Sequence, residues 1–245
     1  MTAVPADVVK ELAPTGTLRV AINLGNIVLA QKDPVTGGPK GVSVDLARAL
    51  AGRLGVAAEF SVFDAAGKAF EALKAGRIDV AFLAIEPVRA AEIEFTAPYV
   101  QIEGVFMVPA DSPIATPADV DQPGRRIAVA QGSAYDLYLT RTVKHASLVR
   151  APSGPDAMAM FVRDRIEVGG GVRQQVVEFL RTHPQLRIVE PAFMTIRQAM
   201  GTPKGRVAGA AYLSAFIEEH KASGFVAAAL ERSGQPANLA APLNG

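Results

Sequence analysis

What most constrains this chain is a repeated alternation of short apolar runs with helical patterns. "TLRVAIN" (17–23) reads as a strand. "VSVDLARALAGRLG" (42–55) follows, with Val44, Ala47, Leu50, Ala51 and Leu54 at helical spacing and Gly55 as its stop. "AEFSVF" alternates like a strand, "GKAFEALKAG" is a short helix closed by Gly76, and "IDVAFLAI" is a buried strand. This β-α-β-α-β order is the signature of a parallel sheet with crossover helices. "FTAPYVQIEGVFMVPADSP" is then extended, and "TPADVDQPG" breaks the rhythm. A second run begins at "RRIAVA" and alternates again through "IEVGGGV" and "LRIVE", so a second α/β unit is expected over 110–190. After it come a separate strand, "FMTIRQAM", two helices (205–224 and 225–234) and a loosely ordered tail, "QPANLAAPLNG".

The 245 residues suffice for one large domain or two small ones. With 49% apolar and 20% charged residues the chain can bury a core and is not disordered. A formal charge of +1, with no Lys/Arg block, gives no reason to expect nucleic acid. There is no cysteine, which excludes disulfide and thiol chemistry. His145, His183 and His220 lie far apart without metal-ligand spacing, so no metal and no cofactor are expected. The apolar runs are too short to span a bilayer. The stretch "MTAVPADVVKELAPTGT" has no basic start and no apolar core, so it does not read as a signal peptide. A periplasmic location then requires a signal removed from the chain; the alternative is cytoplasmic.

Two α/β lobes joined by extended segments make a cleft, and ligands favour such clefts and the carboxyl ends of parallel strands. The stretches to watch are therefore 23–26, 64–68, 85–89, 131–135 and 171–174. In "LAIEPVRAAEIEFTAPY" (83–99) a buried strand ends, Pro87 suits the first turn of a helix, and Arg89 sits at the junction. Anionic ligands meet free backbone N–H groups at such junctions.

These segments together resemble the amino-acid-binding group of bacterial extracellular solute-binding proteins, family 3. The resemblance runs from Gly16 to Gly234. It rests on "GTLRVAI", "GVSVDLARALAGRLGV", "ALKAGRIDVAFLAIEPVRAAEIEFTAPYV", "IAVAQGSA" and "DRIEVGGGV", taken in that order. It implies an α/β fold of the type II periplasmic-binding-protein kind, with a hinge and an interlobe cleft. Lobe 1 would comprise 1–104 plus 195–245, lobe 2 would comprise 105–194, and hinge strands would lie near 103–108 and 191–197. It also implies a monomer that passes a small solute to an ABC-type permease, without bond chemistry. Arg89 aligns with the family's carboxylate-gripping arginine, and a guanidinium fork matches a carboxylate. Ser133, followed by Ala134 and Tyr135, aligns with the small hydroxyl residue that opens the second lobe's helix. Three departures stand out. Glu86 replaces the usual threonine, the aromatic clamp after the first strand is replaced by Asn26, Ile27 and Val28, and the ammonium-binding aspartate falls near Gly171 or Val172.

The remaining candidates each have a second reading. Glu86 either contacts ligand or is a helix-start carboxylate favoured by the dipole. Arg89 without the resemblance would be a surface ion-pair residue with Glu86 or Glu92, and its side chain is expected to be hydrated when no ligand is bound. Asn23 and Asn26 either touch ligand or only shape a turn. Lys68 is either a ligand contact or an exposed lysine. Tyr135 is core or pocket wall, and Arg173 with Gln174 is a ligand contact or a solvated helix face. No G-x-S-x-G, H-E-x-x-H, Walker loop or G-x-G-x-x-G occurs, so no catalytic residue is assigned. The rival readings are a lyase resembling cyclohexadienyl dehydratases, with Glu86 as general acid, and a cytoplasmic ligand sensor.

Overall fold

The computed structural model describes residues 4–244. Residues 1–3 and 245, which belong to the expected first lobe and to the reading of the N-terminus, lie outside the described residues. In chain order the elements are α1 (Ala6–Leu12), β1 (Thr17–Asn23), β2 (Gln31–Lys32), β3 (Pro39–Lys40), α2 (Val42–Leu54), β4 (Ala57–Phe63), α3 (Ala66–Lys74), β5 (Val80–Ala84), α4 (Pro87–Ala90) and β6 (Ile93–Pro109). There follow β7 (Arg126–Ala130), α5 (Ala134–Thr142), β8 (Ser147–Ala151), α6 (Gly154–Arg163), β9 (Val168–Val172), α7 (Arg173–Leu180), β10 (Leu186–Pro203), α8 (Val207–Ala222) and α9 (Phe225–Arg232). The chain divides into two compact units, one ending at Gln101 and resuming at Arg197, the other Ile102–Ile196.

In the first unit the strands run β4-β1-β5-β10. β1 is parallel to β4, from Thr17↔Ala57 to Asn23↔Phe63, and parallel to β5. β10 is antiparallel to β5, with Gln198 opposite Ala84. All five residues of β5 are buried, as its unbroken apolar run requires of a strand covered on both faces. Ala69, Ala72 and Leu73 of α3 pack on Ala21, Ala81 and Leu83 of the sheet. Gly201 of β10 leaves no room for a side chain: a Cβ there would stand 2.3 Å from Ile93 Cγ2. At the start of β5 the fully buried Asp79 carboxylate accepts from Arg19 and Arg206, while Thr202 Oγ1 donates to its backbone oxygen at 2.9 Å.

The second unit repeats the plan, in the order β6-β9-β7-β8. β7 is parallel to β8 and β9, and β6 is antiparallel to β9 with Gly104 opposite Val172. Two of the three glycines of β9, Gly169 and Gly171, answer to packing. A Cβ at Gly169 would meet Met107 and Phe161, and one at Gly171 would meet Val176 Cγ2 at 2.9 Å.

Two expectations need correction. "LRIVE" and "FMTIRQAM" are one continuous strand, β10, because the backbone stays extended through Pro191 and Ala192. The tail is not loose over its described residues, 235–244: Val100 and Ala240 form a bridge, Ala241 N donates to Tyr99 O at 3.0 Å, and Lys221 Nζ donates to Pro242 O at 2.9 Å. Among the described residues no helix is long and apolar enough to cross a membrane.

Candidate functional site

In the first unit the carboxyl ends of β1, β4 and β5 carry most of that unit's candidates. β5 runs out at Ala84, Ile85 N donates to Arg197 O at 2.9 Å, and Glu86 stands in extended geometry before a one-turn helix that opens with Pro87. That single turn directs Arg89 back over the strand end, where Nη1 donates to Ala84 O at 3.1 Å. Arg89 is 1% exposed and Glu86 4%. Burial pulls the Arg89 guanidinium down to about 10, and the Glu86 carboxylate acts in the opposite direction. The expected hydrated arginine is thus corrected: its charge is held inside the unit, next to an acid.

Asn23 ends β1, and its Oδ1 accepts from Gly25 N at 2.9 Å. Gly25 admits no side chain, since a Cβ would stand 2.3 Å from Asp64 O. The two strand ends therefore touch, with Leu24 N donating to Phe63 O at 2.8 Å. Asn26 is buried and shapes a turn, its Oδ1 accepting from Val28 N at 3.2 Å. Lys68 is exposed and pairs with Asp64 one helical turn back at 2.8 Å. Leu24, Phe63, Asp64 and Lys68 line a cavity of about 400 Å³ at this end of the sheet.

In the second unit β7 ends at Ala130 and α5 begins after Ser133. Ser133 Oγ accepts from Asp136 N at 3.1 Å as an N-cap. Asp136 is buried, accepts from Gly132 N at 2.8 Å and is held by Arg150 Nε at 2.9 Å. Ala134 and Tyr135 are buried too. Burial pushes the Tyr135 phenol up to about 12, against its hydrogen bonds to Ser133 and the Ala130 backbone. Gly171 lies in β9, buried against Val176. Arg173 opens α7 and forks onto Glu190, with Nη1 and Nη2 at 2.6 and 2.8 Å, while Nε donates to Glu103. Its guanidinium is held above its usual range, chiefly by Glu190.

Within the first unit the structure thus gathers Asn23, Lys68, Glu86 and Arg89 at one end of the sheet and sets Asn26 in a buried turn. Within the second it gathers Ser133, Ala134 and Tyr135, with Gly171 and Arg173 at the end of β9. Sequence reasoning held Gly25 within the stretch 23–26 without singling it out, and passed over Asp136. A glycine two residues beyond Asn23, and an acid three residues after a Ser N-cap, were the available signals. Among the described residues no group of three or more His, Cys, Asp or Glu could hold a metal ion.

Two α/β units, each a parallel sheet with one antiparallel strand, define the fold of type II periplasmic binding proteins. A family profile described as bacterial extracellular solute-binding proteins, family 3, matches residues 18–235, and the chain belongs to that family. No curated protein matches it. Among solved structures it is similar to a mutant of ArgBP from T. maritima, with 23% identity, TM-score 0.78 and 93% of this chain covering 99% of that one. It is also similar to the amino acid ABC transporter substrate-binding protein AbpA from Streptococcus pneumoniae, bound to L-arginine: 20% identity, TM-score 0.77, coverage 91% and 96%. A third is the ancestral amino acid-binding protein AncCDT-1, a precursor of cyclohexadienyl dehydratase: 23% identity, TM-score 0.75, coverage 91% and 98%. At these identities the likeness is one of fold.

Proposed function

We propose that this protein is the solute-binding component of an ABC-type uptake system and takes a small carboxylate-bearing solute, an amino acid or a related organic acid. The observation that carries the reading is Arg89. It stands at a strand–helix junction, at the position aligned with the family's carboxylate-binding arginine, and its charge is buried. A desolvated guanidinium gains more from a two-point contact with a carboxylate than a hydrated one. Two of the similar structures, an ancestral amino acid-binding protein and an amino acid ABC transporter substrate-binding protein with L-arginine bound, support the solute class. The test is native mass spectrometry of the purified protein, followed by calorimetry with the solute found. A bound carboxylate whose affinity collapses in Arg89→Ala supports the reading; a ligand without an anionic group overturns it.

Glu86 favours a second reading. A buried acid beside a carboxylate-binding arginine could protonate a leaving hydroxyl in a lyase. Appearance of the aromatic product's absorbance on incubation with prephenate or arogenate, as water and carbon dioxide leave, abolished in Glu86→Gln, is the result that selects it.

A further inference from the structure

The second unit holds a cavity that the carboxylate reading leaves unused. It measures about 500 Å³ and is built from four separate segments: β6 (Phe106), the turn around Thr116 and Asp121, the last turns of α5 (Tyr138, Thr142), and β10 (Phe193). That volume lies within the range of small-molecule sites. Ser133 stands at the other end of α5, and no residue of the cavity's lining is among the candidates for the carboxylate site.

Three rings form its floor. Phe106 and Phe193 stack at 4.1 Å between centroids, and Tyr138 lies 5.9 Å from Phe193 with the planes tilted by 34°. Nearly parallel rings in an open cavity offer a face to a further flat ring. The walls are held by polar contacts of their own. Thr116 and Asp119 form a reciprocal cap on the turn. Asp121 accepts from the backbone N–H groups of Lys144, His145 and Ala146 at 2.7 to 2.8 Å. Thr142 Oγ1 donates to Tyr138 O at 3.0 Å. The cavity is therefore preformed.

These contacts also decide what the rim can offer. The Thr116 hydroxyl proton goes to Asp119, and that of Thr142 to a backbone carbonyl. What each hydroxyl has left to offer at the lining is acceptor capacity, in part already taken at Thr116 by the Asp119 backbone N–H. Asp121 adds a carboxylate: burial raises its affinity for protons, but the three backbone donors and His145 together outweigh that and lower it on balance, which keeps the group charged. Apart from the Tyr138 phenol, the polar side chains of the lining accept hydrogen bonds rather than donate them.

We infer that this cavity is a second binding site, for a planar aromatic molecule that carries a hydrogen-bond donor or a cation and no carboxylate. The ring stacks on Phe193 and Tyr138, and the donor meets Asp121 and the threonine oxygens. The proposal shares no residue with the Arg89 reading, so each stands or falls alone.

The probes are tryptamine, indole and indole-3-acetate, which share a ring and differ in the charge of the substituent. Each is titrated into the full chain, and the aromatic NMR signals of Phe106, Tyr138 and Phe193 are followed. Tryptamine is expected to shift them in the order of affinity tryptamine, indole, indole-3-acetate, with roughly tenfold between the first and last from the change of sign opposite Asp121. Ala118→Trp places a ring in the cavity from its exposed rim and should abolish the shifts. Thr142→Phe, placed from α5, is the second block should the first variant fail to fold. No shift at millimolar probe, or tryptamine binding unchanged in a folded blocked variant, overturns the site. Equal binding of indole-3-acetate overturns the assigned ligand class.

Discussion

Arg19 and Asp79 meet in a two-point ion pair, with Nε and Nη2 each 2.8 Å from a carboxylate oxygen. Arg206 Nη1 closes on the same carboxylate at 2.9 Å. The acid is fully buried, whereas both arginines keep some contact with water. The cluster ties the start of β1, the start of β5 and the entry to α8. Asp79→Ala should therefore leave two arginines facing each other without their anion, at a cost of about 3–5 kcal/mol. Arg206→Ala leaves the two-point pair in place and should cost about 1 kcal/mol. Urea unfolding measures both, and equal losses would show that the pair does not act as the anchor.

Gly25 joins the ends of β1 and β4, where a methyl group would press on the Asp64 backbone oxygen. A backbone atom cannot swing aside as a flexible side chain can. Gly25→Ala should lower stability by roughly 1–3 kcal/mol and reshape the cavity lined by Asp64 and Lys68. Thermal unfolding reads the first effect. Gly16→Ala serves as a contrast, because its strain comes from φ +83° alone and no neighbour would be struck.

His220 is buried in α8, with Nδ1 2.7 Å from Phe216 O and its ring tilted over Phe216 and edge-on to Phe225. Burial lowers its proton affinity, and Arg53 adds to this; the Phe216 carbonyl and Glu219 oppose it. The folded state therefore binds the proton less readily than the unfolded chain. Its contribution to stability is complete above the unfolded value of about 6.5 and is lost as pH falls through the lower folded value. Stability measured by urea unfolding should drop between pH 7.5 and 5.5, and His220→Gln should flatten that slope. An unchanged slope in the variant would assign the pH dependence to other groups.

The legibility of the chain followed the range of the interactions. β5 and α2 could be read because their signals are local: an unbroken apolar run with all five residues buried, and apolar spacing ending at a left-handed Gly55. The α/β class and the family followed from the order of such segments. α1 escaped because in seven residues only Val8 and Leu12 are buried, too few to show a period. β10 read as two strands because Pro191 and Ala192 interrupt the pattern. The tail's order depends on Tyr99 and Lys221, distant in sequence. Arg173 could be read as a ligand contact or a solvated residue, and its partners, Glu103 and Glu190, lie 70 and 17 residues away. The burial of Arg89 had no local sign either, since a four-residue helix leaves no period to read.

Glu86 and Arg89 supply the prediction that separates the readings of the candidate site. A carboxylate solute that reaches Arg89 meets the Glu86 charge as well, and like charges in a buried setting repel strongly. Under the binding reading, Glu86→Gln removes that repulsion while keeping the size of the side chain. Affinity for an acid without an amino group should then rise by about tenfold or more, on the scale of one to two kcal/mol. Arg89→Ala should cost roughly 2–5 kcal/mol of binding, thirtyfold to several-thousandfold, and Arg89→Lys should recover little because an ammonium lacks the fork. Since Arg89 also donates to Ala84 O from within the core, Arg89→Ala should lower stability by about 1–3 kcal/mol, so each variant's unfolding is measured beside its calorimetry. A solute that carries its own cation near Glu86 reverses the sign: Glu86→Gln then weakens binding. Under the lyase reading the same variant binds its substrate and ceases to turn it over. Calorimetry and an absorbance assay on one variant therefore distinguish three outcomes. Unchanged affinity in both Glu86→Gln and Arg89→Ala would remove this end of the sheet from the binding site altogether.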